Sequence, residues 1–199
     1  MLLRFRSGIG DFLSNLGEMT VKGAGFEATA KRRQSEAGAA LVAATVSRPE
    51  ENATPASTAN AAKEAVQAVE DVNARTLRRL EDSRVLWVDD RPDNNEYERQ
   101  ALEALGVKIT ISTATDDALA KIGRQHFDAI ISDMGRPPDP QAGYTLLDKL
   151  RTSGNQIPFI IYASSRSPEH RTEAKRRGAV GCTNRATELF AMVVSALSH

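Results

Sequence analysis

The chain has 199 residues, enough for one ordinary domain plus a smaller appendage, and its 26 basic and 26 acidic residues give no bulk charge that would indicate nucleic-acid binding. Its single cysteine, Cys182, excludes an internal disulfide and a cysteine-based metal cluster, and favours a reducing, cytoplasmic location. No run approaches the roughly 18 consecutive apolar residues that a membrane-spanning helix requires.

Residues 1–46 are predicted to form a small α+β module of unassigned role. Apolar residues at helical spacing predict a short amphipathic helix from Leu2 to Leu16. Alternating apolar residues between Met19 and Ala30 predict a small hairpin, and an alanine-rich helix follows from Ser35 to Val46. We expect the first helix to pack on the hairpin; contact with a membrane surface by residues 2–16 is the less favoured alternative.

Residues 47–83 are predicted to be a linker and a connecting helix. Ser47 to Asn60 is rich in Pro, Asn, Thr, Ser and Ala, a composition typical of linkers. Ala61 to Asp82 predicts a helix with a modest apolar stripe. Packing on the next domain and dimerisation explain that stripe equally well, because it covers too few heptads. We expect residues 1–83 to support self-association or the docking of a partner.

Apolar strands alternate with helices in residues 84–199. The predicted strands are Val85–Val88, Val107–Ile111, Phe127–Ile131, Pro158–Tyr162 and Gly178–Cys182. A predicted helix follows each strand. Successive strand–helix units with nearly continuous apolar strands predict a parallel sheet that is covered on both faces.

Acidic residues follow two of the predicted strands. Asp89 and Asp90 come directly after the first strand, and Asp133 follows the third strand after Ser132. In such a sheet, functional groups gather beyond the carboxyl ends of the strands. Carboxylates that converge there repel each other unless a cation intervenes, and oxygen ligands of this kind suit Mg²⁺. A single acid after a strand is usually a helix cap, but capping does not explain this set well.

Four separated segments carry a family resemblance. They are Val85-Leu-Trp-Val-Asp-Asp90, Asp128-Ala-Ile-Ile-Ser-Asp133-Met, Ile157-Pro-Phe-Ile-Ile-Tyr162 and Arg177-Gly-Ala-Val-Gly181. In this order they resemble the CheY-like receiver domains of two-component response regulators. The resemblance implies a flavodoxin-like (βα)5 parallel sheet with the strand order 2-1-3-4-5. It does not extend to residues 1–83.

The resemblance also implies a set of site roles. Asp133 would be the phosphoacceptor and would take a phosphoryl group from a sensor histidine kinase or a phosphotransfer protein. Asp90, Asp133 and the backbone carbonyl of Gly135 would hold Mg²⁺, and Asp89 would assist through water. The chain would then be a signalling module rather than an enzyme, and its output would be a protein–protein contact or oligomerisation.

Three positions depart from the family pattern. Ala163 stands where the family usually has a hydroxyl residue, with Ser164 one residue later. Arg185 replaces the usual lysine, and a planar guanidinium is not a conservative substitute for a compact ammonium. Cys182 stands at the position of an aromatic switch residue. Ala163 and the missing lysine favour the alternative hypothesis of a phosphorylation-independent pseudo-receiver scaffold, whereas the intact acidic triad opposes it.

A phosphatase of the haloacid-dehalogenase type is a third hypothesis, because such enzymes also form an aspartyl phosphate. That class needs a second acid two residues after the nucleophile. Gly135 occupies this position here, so the sequence disfavours such an enzyme.

Overall fold

A parallel five-stranded sheet forms the centre of the molecule, with the strand order β2-β1-β3-β4-β5. The computed structural model describes residues 25–48, 53–163 and 167–198. The strands are β1 (Arg84–Val88), β2 (Lys108–Ser112), β3 (Ala129–Ser132), β4 (Phe159–Tyr162) and β5 (Gly181–Thr183). The predicted flavodoxin-like fold and its strand order are confirmed, and each strand lies within a few residues of its predicted bounds.

Eight α-helices lie in the described residues. They are α1 (Gly25–Ser47), α2 (Pro55–Glu70), α3 (Ala74–Leu80), α4 (Glu96–Ala104), α5 (Thr115–Ile122), α6 (Ala142–Thr152), α7 (Pro168–Arg176) and α8 (Ala186–Leu197). A short 3-10 turn, Pro92–Asn95, precedes α4. The last five helices each follow a strand, as the alternating pattern predicts.

The pleat of the strands separates two apolar cores. Val85, Trp87 and Ile131 point to the face that α4 and α8 cover. Leu86 and Ile130 point to the opposite face, which α5, α6 and α7 cover. Successive side chains of a strand alternate between its two faces, so buried strands of this kind need apolar residues at every position.

The register of the three central strands brings their carboxyl ends together. Val88, at the end of β1, lies opposite Ser112 of β2 and Ser132 of β3. Beyond these residues, the backbone N–H of Asp89 donates to the Ser112 carbonyl at 2.9 Å, and that of Asp133 donates to the Val88 carbonyl at 3.0 Å. The two acidic segments therefore leave the sheet side by side.

The predicted hairpin is wrong where the structure describes it. Phe26, Ala28 and Ala30 belong to α1, which begins at Gly25 and includes the predicted alanine-rich helix. Alternation over so few residues is a weak strand signal, and the alanine-rich sequence that follows favours a continuous helix. The predicted helix from Leu2 to Leu16 and the first half of the hairpin lie outside the described residues.

The predicted linker is helical from Pro55 onward. Thr54 caps α2: its hydroxyl accepts from the Ser57 N–H at 3.1 Å, and the Ser57 hydroxyl accepts from the Thr54 N–H at 2.8 Å. Proline at the first helical position reinforces this start. The predicted helix from Ala61 to Asp82 is in fact two helices, because the Asn73 side chain caps α3 by accepting from the N–H groups of Arg75 and Thr76.

The first three helices form an outer layer over α4 and α8. Leu41 of α1, Val69 of α2 and Leu77 of α3 are buried in the same core as the sheet residue Trp87. The Gln34 side chain ties α1 to the end of α2 by donating to the Val69 carbonyl at 3.3 Å. Burial against α4, α8 and the sheet therefore accounts for the apolar stripe of the connecting segment. Whether residues 1–46, 47–83 and 84–199 behave as separate domains stays a prediction.

Among the described residues, no helix is both long enough and apolar enough to cross a membrane.

Candidate functional site

Asp89, Asp90 and Asp133 converge at the carboxyl edge of the sheet. Each can offer one carboxylate oxygen such that the three oxygens lie within 4.8 Å of one another. Asp89 is buried, and the other two acids are half-buried. The ligands are all oxygens and all acidic, so the site fits Mg²⁺ by the chemistry of its donors.

The carboxylate of Asp89 is fixed by the turn that follows β1. One oxygen accepts from the Arg91 N–H at 2.7 Å, and the other accepts from the side-chain amide of Asn95. Because both oxygens already have donors, Asp89 is better suited to contact a metal through water than directly. The Asp90 carboxylate lies 3.9 Å from Arg91 Nε, which is a long contact for an ion pair.

Asp133 lies in an environment that disfavours its negative charge. Burial raises its pKa to about 7, and the negative charges of Asp89 and Asp90 act in the same direction. The guanidinium of Arg136 opposes these effects and lowers the pKa. A second cation placed among the three acids would therefore be favourable.

Gly143 lets the start of α6 approach the backbone that follows β3. A Cβ atom at this position would lie 2.5 Å from the Asp133 carbonyl oxygen, and the Gly143 N–H donates to the Met134 carbonyl at 2.8 Å. Only glycine fits this close backbone contact. The contact holds the chain directly after Asp133 against α6.

Arg136 is a site residue that the sequence did not predict. Its guanidinium donates to Asp133 Oδ1, to Ser132 Oγ at 2.8 Å and to Thr115 Oγ1 at 3.1 Å. The residue is 4% exposed. A basic residue three positions after the predicted phosphoacceptor was the available signal, but an irregular proline-rich loop does not indicate where a side chain points.

A second unpredicted group links α1 to the site. Arg48 donates to Asn95 Oδ1 at 2.6 Å, and its guanidinium lies 3.6 Å from the Glu98 carboxylate and 5.4 Å from the centre of the Tyr162 ring. The Tyr162 hydroxyl donates to Glu98 at 2.8 Å, and burial raises the tyrosine pKa. This polar group therefore joins the outer layer to both β4 and the turn beside Asp89.

Three other positions that the sequence analysis singled out, Ala163, Cys182 and Arg185, lie in or directly beyond β4 and β5. Arg185 pairs with Glu64 of α2 at 3.2 Å and with Glu188 of α8 at 3.4 Å. Ala163 follows β4 and has no hydroxyl, and Ser164 lies outside the described residues. Cys182 is buried among the residues under α6 and α7, and burial raises the pKa of its thiol.

A cavity of about 820 Å³ opens over the acids. The three acids, Gly135 and Arg185 lie in its wall, together with residues from the outer layer. Those outer-layer residues are Ala44, Thr45, Arg48, Ser57, Thr58, Asn60, Ala61 and Glu64. The structure thus brings Asp89, Asp90, Asp133, Gly135 and Arg185 to one cavity, and α1 and α2 form its far side.

Comparison with known proteins decides the family. A model of the response regulator receiver domain matches residues 85–192. The chain belongs to this family. Receiver domains are signalling modules of two-component systems, so this part of the chain is such a module.

The curated relatives include larger sensor proteins. The sensor histidine kinase RcsC of Escherichia coli K12 is 27% identical over 109 residues, which are 55% of this chain and 11% of RcsC. The sensor protein EvgS of the same strain is 32% identical over 75 residues, or 38% of this chain and 6% of EvgS. The chain therefore spans only a small part of the length of these relatives.

Solved receiver domains have the same fold. The chemotaxis response regulator CheY4 of Vibrio cholerae is 25% identical, with a TM-score of 0.50, over 58% of this chain and 98% of CheY4. The receiver domain of the Francisella response regulator 1452 is 24% identical, with a TM-score of 0.52, over 59% of this chain and 97% of that domain. The outer layer formed by α1 to α3 precedes the residues that the receiver family model matches.

Proposed function

We propose that this receiver accepts a phosphoryl group on Asp133 in a reaction assisted by Mg²⁺. The donor would be a sensor histidine kinase or a phosphotransfer protein in the cytoplasm. The observation that carries the proposal is the convergence of Asp89, Asp90 and Asp133 in a chain that belongs to the receiver family. The relative RcsC, which is a sensor histidine kinase, supports a donor of this class.

The chemistry is a transfer between two side chains. A carboxylate oxygen of Asp133 attacks the phosphorus of a phosphohistidine, the P–N bond breaks, and the imidazole keeps the electron pair and takes up a proton. Asp90, Asp133 and the Gly135 carbonyl would hold Mg²⁺, with Asp89 assisting through water. When bound, the metal supplies positive charge against the transferring phosphoryl oxygens.

A small phosphodonor tests this proposal without the cognate kinase. The full chain is incubated with acetyl phosphate and Mg²⁺, and its intact mass is measured with time. We expect the mass to increase by one phosphoryl group in the wild type and to stay unchanged in Asp133→Asn. Modification of both proteins, or of neither, would contradict the proposal.

Binding of Mg²⁺ is measured separately by calorimetry. We expect weak binding by the wild type and a loss of about tenfold in affinity in Asp90→Ala, because one carboxylate ligand is removed. Equal affinities in the two proteins would exclude Asp90 as a ligand.

A pseudo-receiver scaffold is the second candidate function. It is favoured by Arg185, which pairs with Glu64 and Glu188, and by the missing hydroxyl at Ala163. A folded wild-type chain that binds Mg²⁺ or a partner but never gains a phosphoryl group would favour this candidate.

The output of the module is proposed to be a protein contact or oligomerisation through residues 1–83. The outer layer supports this, because α1 and α2 form a wall of the cavity over the acids. Sedimentation of the full chain before and after phosphorylation tests it. An unchanged monomer in both states would refute self-association as the output.

A further inference from the structure

The loop between β3 and α6 fixes the backbone of Arg136. Its N–H donates to the Asp139 carbonyl at 2.9 Å, and its own carbonyl accepts from the Asp139 N–H at 2.7 Å. The Asp139 carboxylate is held in turn by the Gln141 N–H at 2.7 Å and the Thr145 hydroxyl at 2.6 Å. The direction of the Arg136 side chain is therefore set by a closed turn rather than by a free loop.

The guanidinium of Arg136 is enclosed beside the phosphoacceptor. Arg136 is 4% exposed. Its guanidinium pairs with the Asp133 carboxylate and also donates to the hydroxyl groups of Ser132 and Thr115. Its Nε is buried with no hydrogen-bond partner in the described part of the chain. A cation enclosed in this way depends on its anion, because an unpaired buried charge is strongly unfavourable.

Arg185 has a different environment. Its side chain is 38% exposed, and it contacts the carboxylates of Glu64 and Glu188. Within the described ranges, Arg136 is the cation that pairs with the Asp133 carboxylate.

We propose that Arg136 is a built-in counter-ion and positioning residue for Asp133. It holds one carboxylate oxygen in place for attack on phosphorus, and its positive charge opposes the binding of Mg²⁺ to the same acids. The inference rests on the proposed phosphoacceptor role of Asp133. It predicts that loss of the guanidinium changes metal affinity and transfer rate in opposite directions.

The test compares Arg136→Met and Arg136→Lys in the full chain. We expect Arg136→Met to bind Mg²⁺ about tenfold more tightly, since a neighbouring positive charge is gone. At saturating Mg²⁺, we expect it to take up the phosphoryl group from acetyl phosphate about tenfold more slowly, since the nucleophile is no longer oriented. Arg136→Lys should keep the wild-type Mg²⁺ affinity within about threefold and show an intermediate rate, because it keeps the charge but not the planar fork.

Arg91→Met is the matched control. The Arg91 side chain is 76% exposed and lies 3.9 Å from the Asp90 carboxylate, so this variant removes a charge near the acids without removing a buried contact. We expect changes below about twofold in both measurements, because exposed charges are screened. If Arg136→Met and Arg91→Met behave alike, or if folded Arg136→Met matches the wild type, the inference is overturned.

Folding is checked by far-ultraviolet circular dichroism. If Arg136→Met does not fold, the inference is tested with Arg136→Lys and Thr115→Val instead. Thr115→Val removes one hydrogen-bond acceptor of the Arg136 guanidinium but leaves the guanidinium charge in place. Slower transfer in both at wild-type Mg²⁺ affinity supports the inference, and wild-type transfer rates in both overturn it. A wild-type chain that gains no phosphoryl group refutes the proposed function, whereas equal Mg²⁺ affinity of wild type and Arg136→Met refutes only the role of Arg136.

Discussion

The two faces of the sheet are covered to different depths. One face has a single helical layer, α5, α6 and α7, whose buried residues form one apolar cluster. The other face has two layers, because α1, α2 and α3 add their buried residues to the cluster formed by α4, α8 and the sheet. On this face, the helices next to the sheet are buried from both sides. The residues that precede the receiver therefore extend its core, and they also reach the acids at the edge of the sheet.

A pair of leucines tests whether the double-layered face unfolds with the sheet. Leu41 of α1 and Leu146 of α6 are both almost fully buried, one on each face. Leu→Ala at either site should lower the free energy of unfolding by about 3 kcal/mol, because a buried side chain is replaced by a cavity. Urea unfolding followed by fluorescence of Trp87 measures both. If Leu41→Ala leaves that transition unchanged, the outer layer and the sheet are separate folding units.

Removal of charge at the acidic edge should change how stability depends on pH. The pKa of Asp133 in the folded chain, about 7, lies above its ordinary value of 3.8, so the folded state binds this proton more tightly than the unfolded state does. Without Mg²⁺, stability should therefore fall by about 2 kcal/mol as the pH rises from about 4 to 7, allowing for partial exposure. Asp133→Asn should reduce this dependence. Urea unfolding in chelator at several pH values measures it, and equal slopes for the two proteins would argue against a perturbed Asp133.

Two buried tyrosines allow a matched comparison of the faces. Tyr162 donates to the Glu98 carboxylate at 2.8 Å, and Tyr144 donates to the His170 carbonyl at 3.2 Å. We expect Tyr162→Phe to destabilise the chain by about 1.5–3 kcal/mol and Tyr144→Phe by about 0.5–1.5 kcal/mol, because a carboxylate loses more than a carbonyl when its donor is removed. Thermal unfolding of both variants measures the difference. A larger loss of stability in Tyr144→Phe than in Tyr162→Phe would show that the hydrogen bond between Tyr162 and Glu98 contributes little to stability.

The smallest expected effect on stability concerns the ion pair between Arg185 and Glu64. Glu64→Ala should lower stability by less than about 1 kcal/mol, because the pair is partly exposed. It should raise the phosphorylation rate about two- to threefold, because Arg185 loses one of its carboxylate partners near the acids. Glu36→Ala is the control, since Glu36 pairs with Arg32 within α1. Equal phosphorylation rates in Glu64→Ala and Glu36→Ala would show that Arg185 does not influence phosphoryl transfer.

Much of the receiver follows from its residue pattern alone. The strands are short apolar runs, and an acid that directly follows a parallel strand must lie at the carboxyl edge of the sheet. The positions of Asp89, Asp90 and Asp133 in the sequence therefore sufficed to predict that they lie together. Arg136 could not be predicted in this way, because its direction depends on hydrogen bonds with Asp139 inside an irregular turn. Periodicity carries no information about such a turn.

The outer layer was harder to predict for a different reason. The inner face of α1 is made mainly of small residues such as Ala37 and Ala44, which are buried but weakly apolar. Their spacing predicts a helix but not its partner. Contacts between residues far apart in the chain, such as Gln34 with the Val69 carbonyl, decide that partner, and no local pattern records them.

The chain of contacts from Arg48 through Asn95 to Asp89 has a thermodynamic consequence. Arg48 follows α1 directly, and Asn95 donates to the carboxylate beside the proposed metal site. Coupling between two sites is reciprocal: if occupation of the acids strengthens or weakens the docking of α1 by some factor, displacement of α1 must change the affinity of the acids for their ligand by the same factor. A protein that binds α1 and displaces it would then act as an effector of the acidic site without contacting that site. The ratio of the metal affinities measured with and without that protein would give the coupling between the two sites.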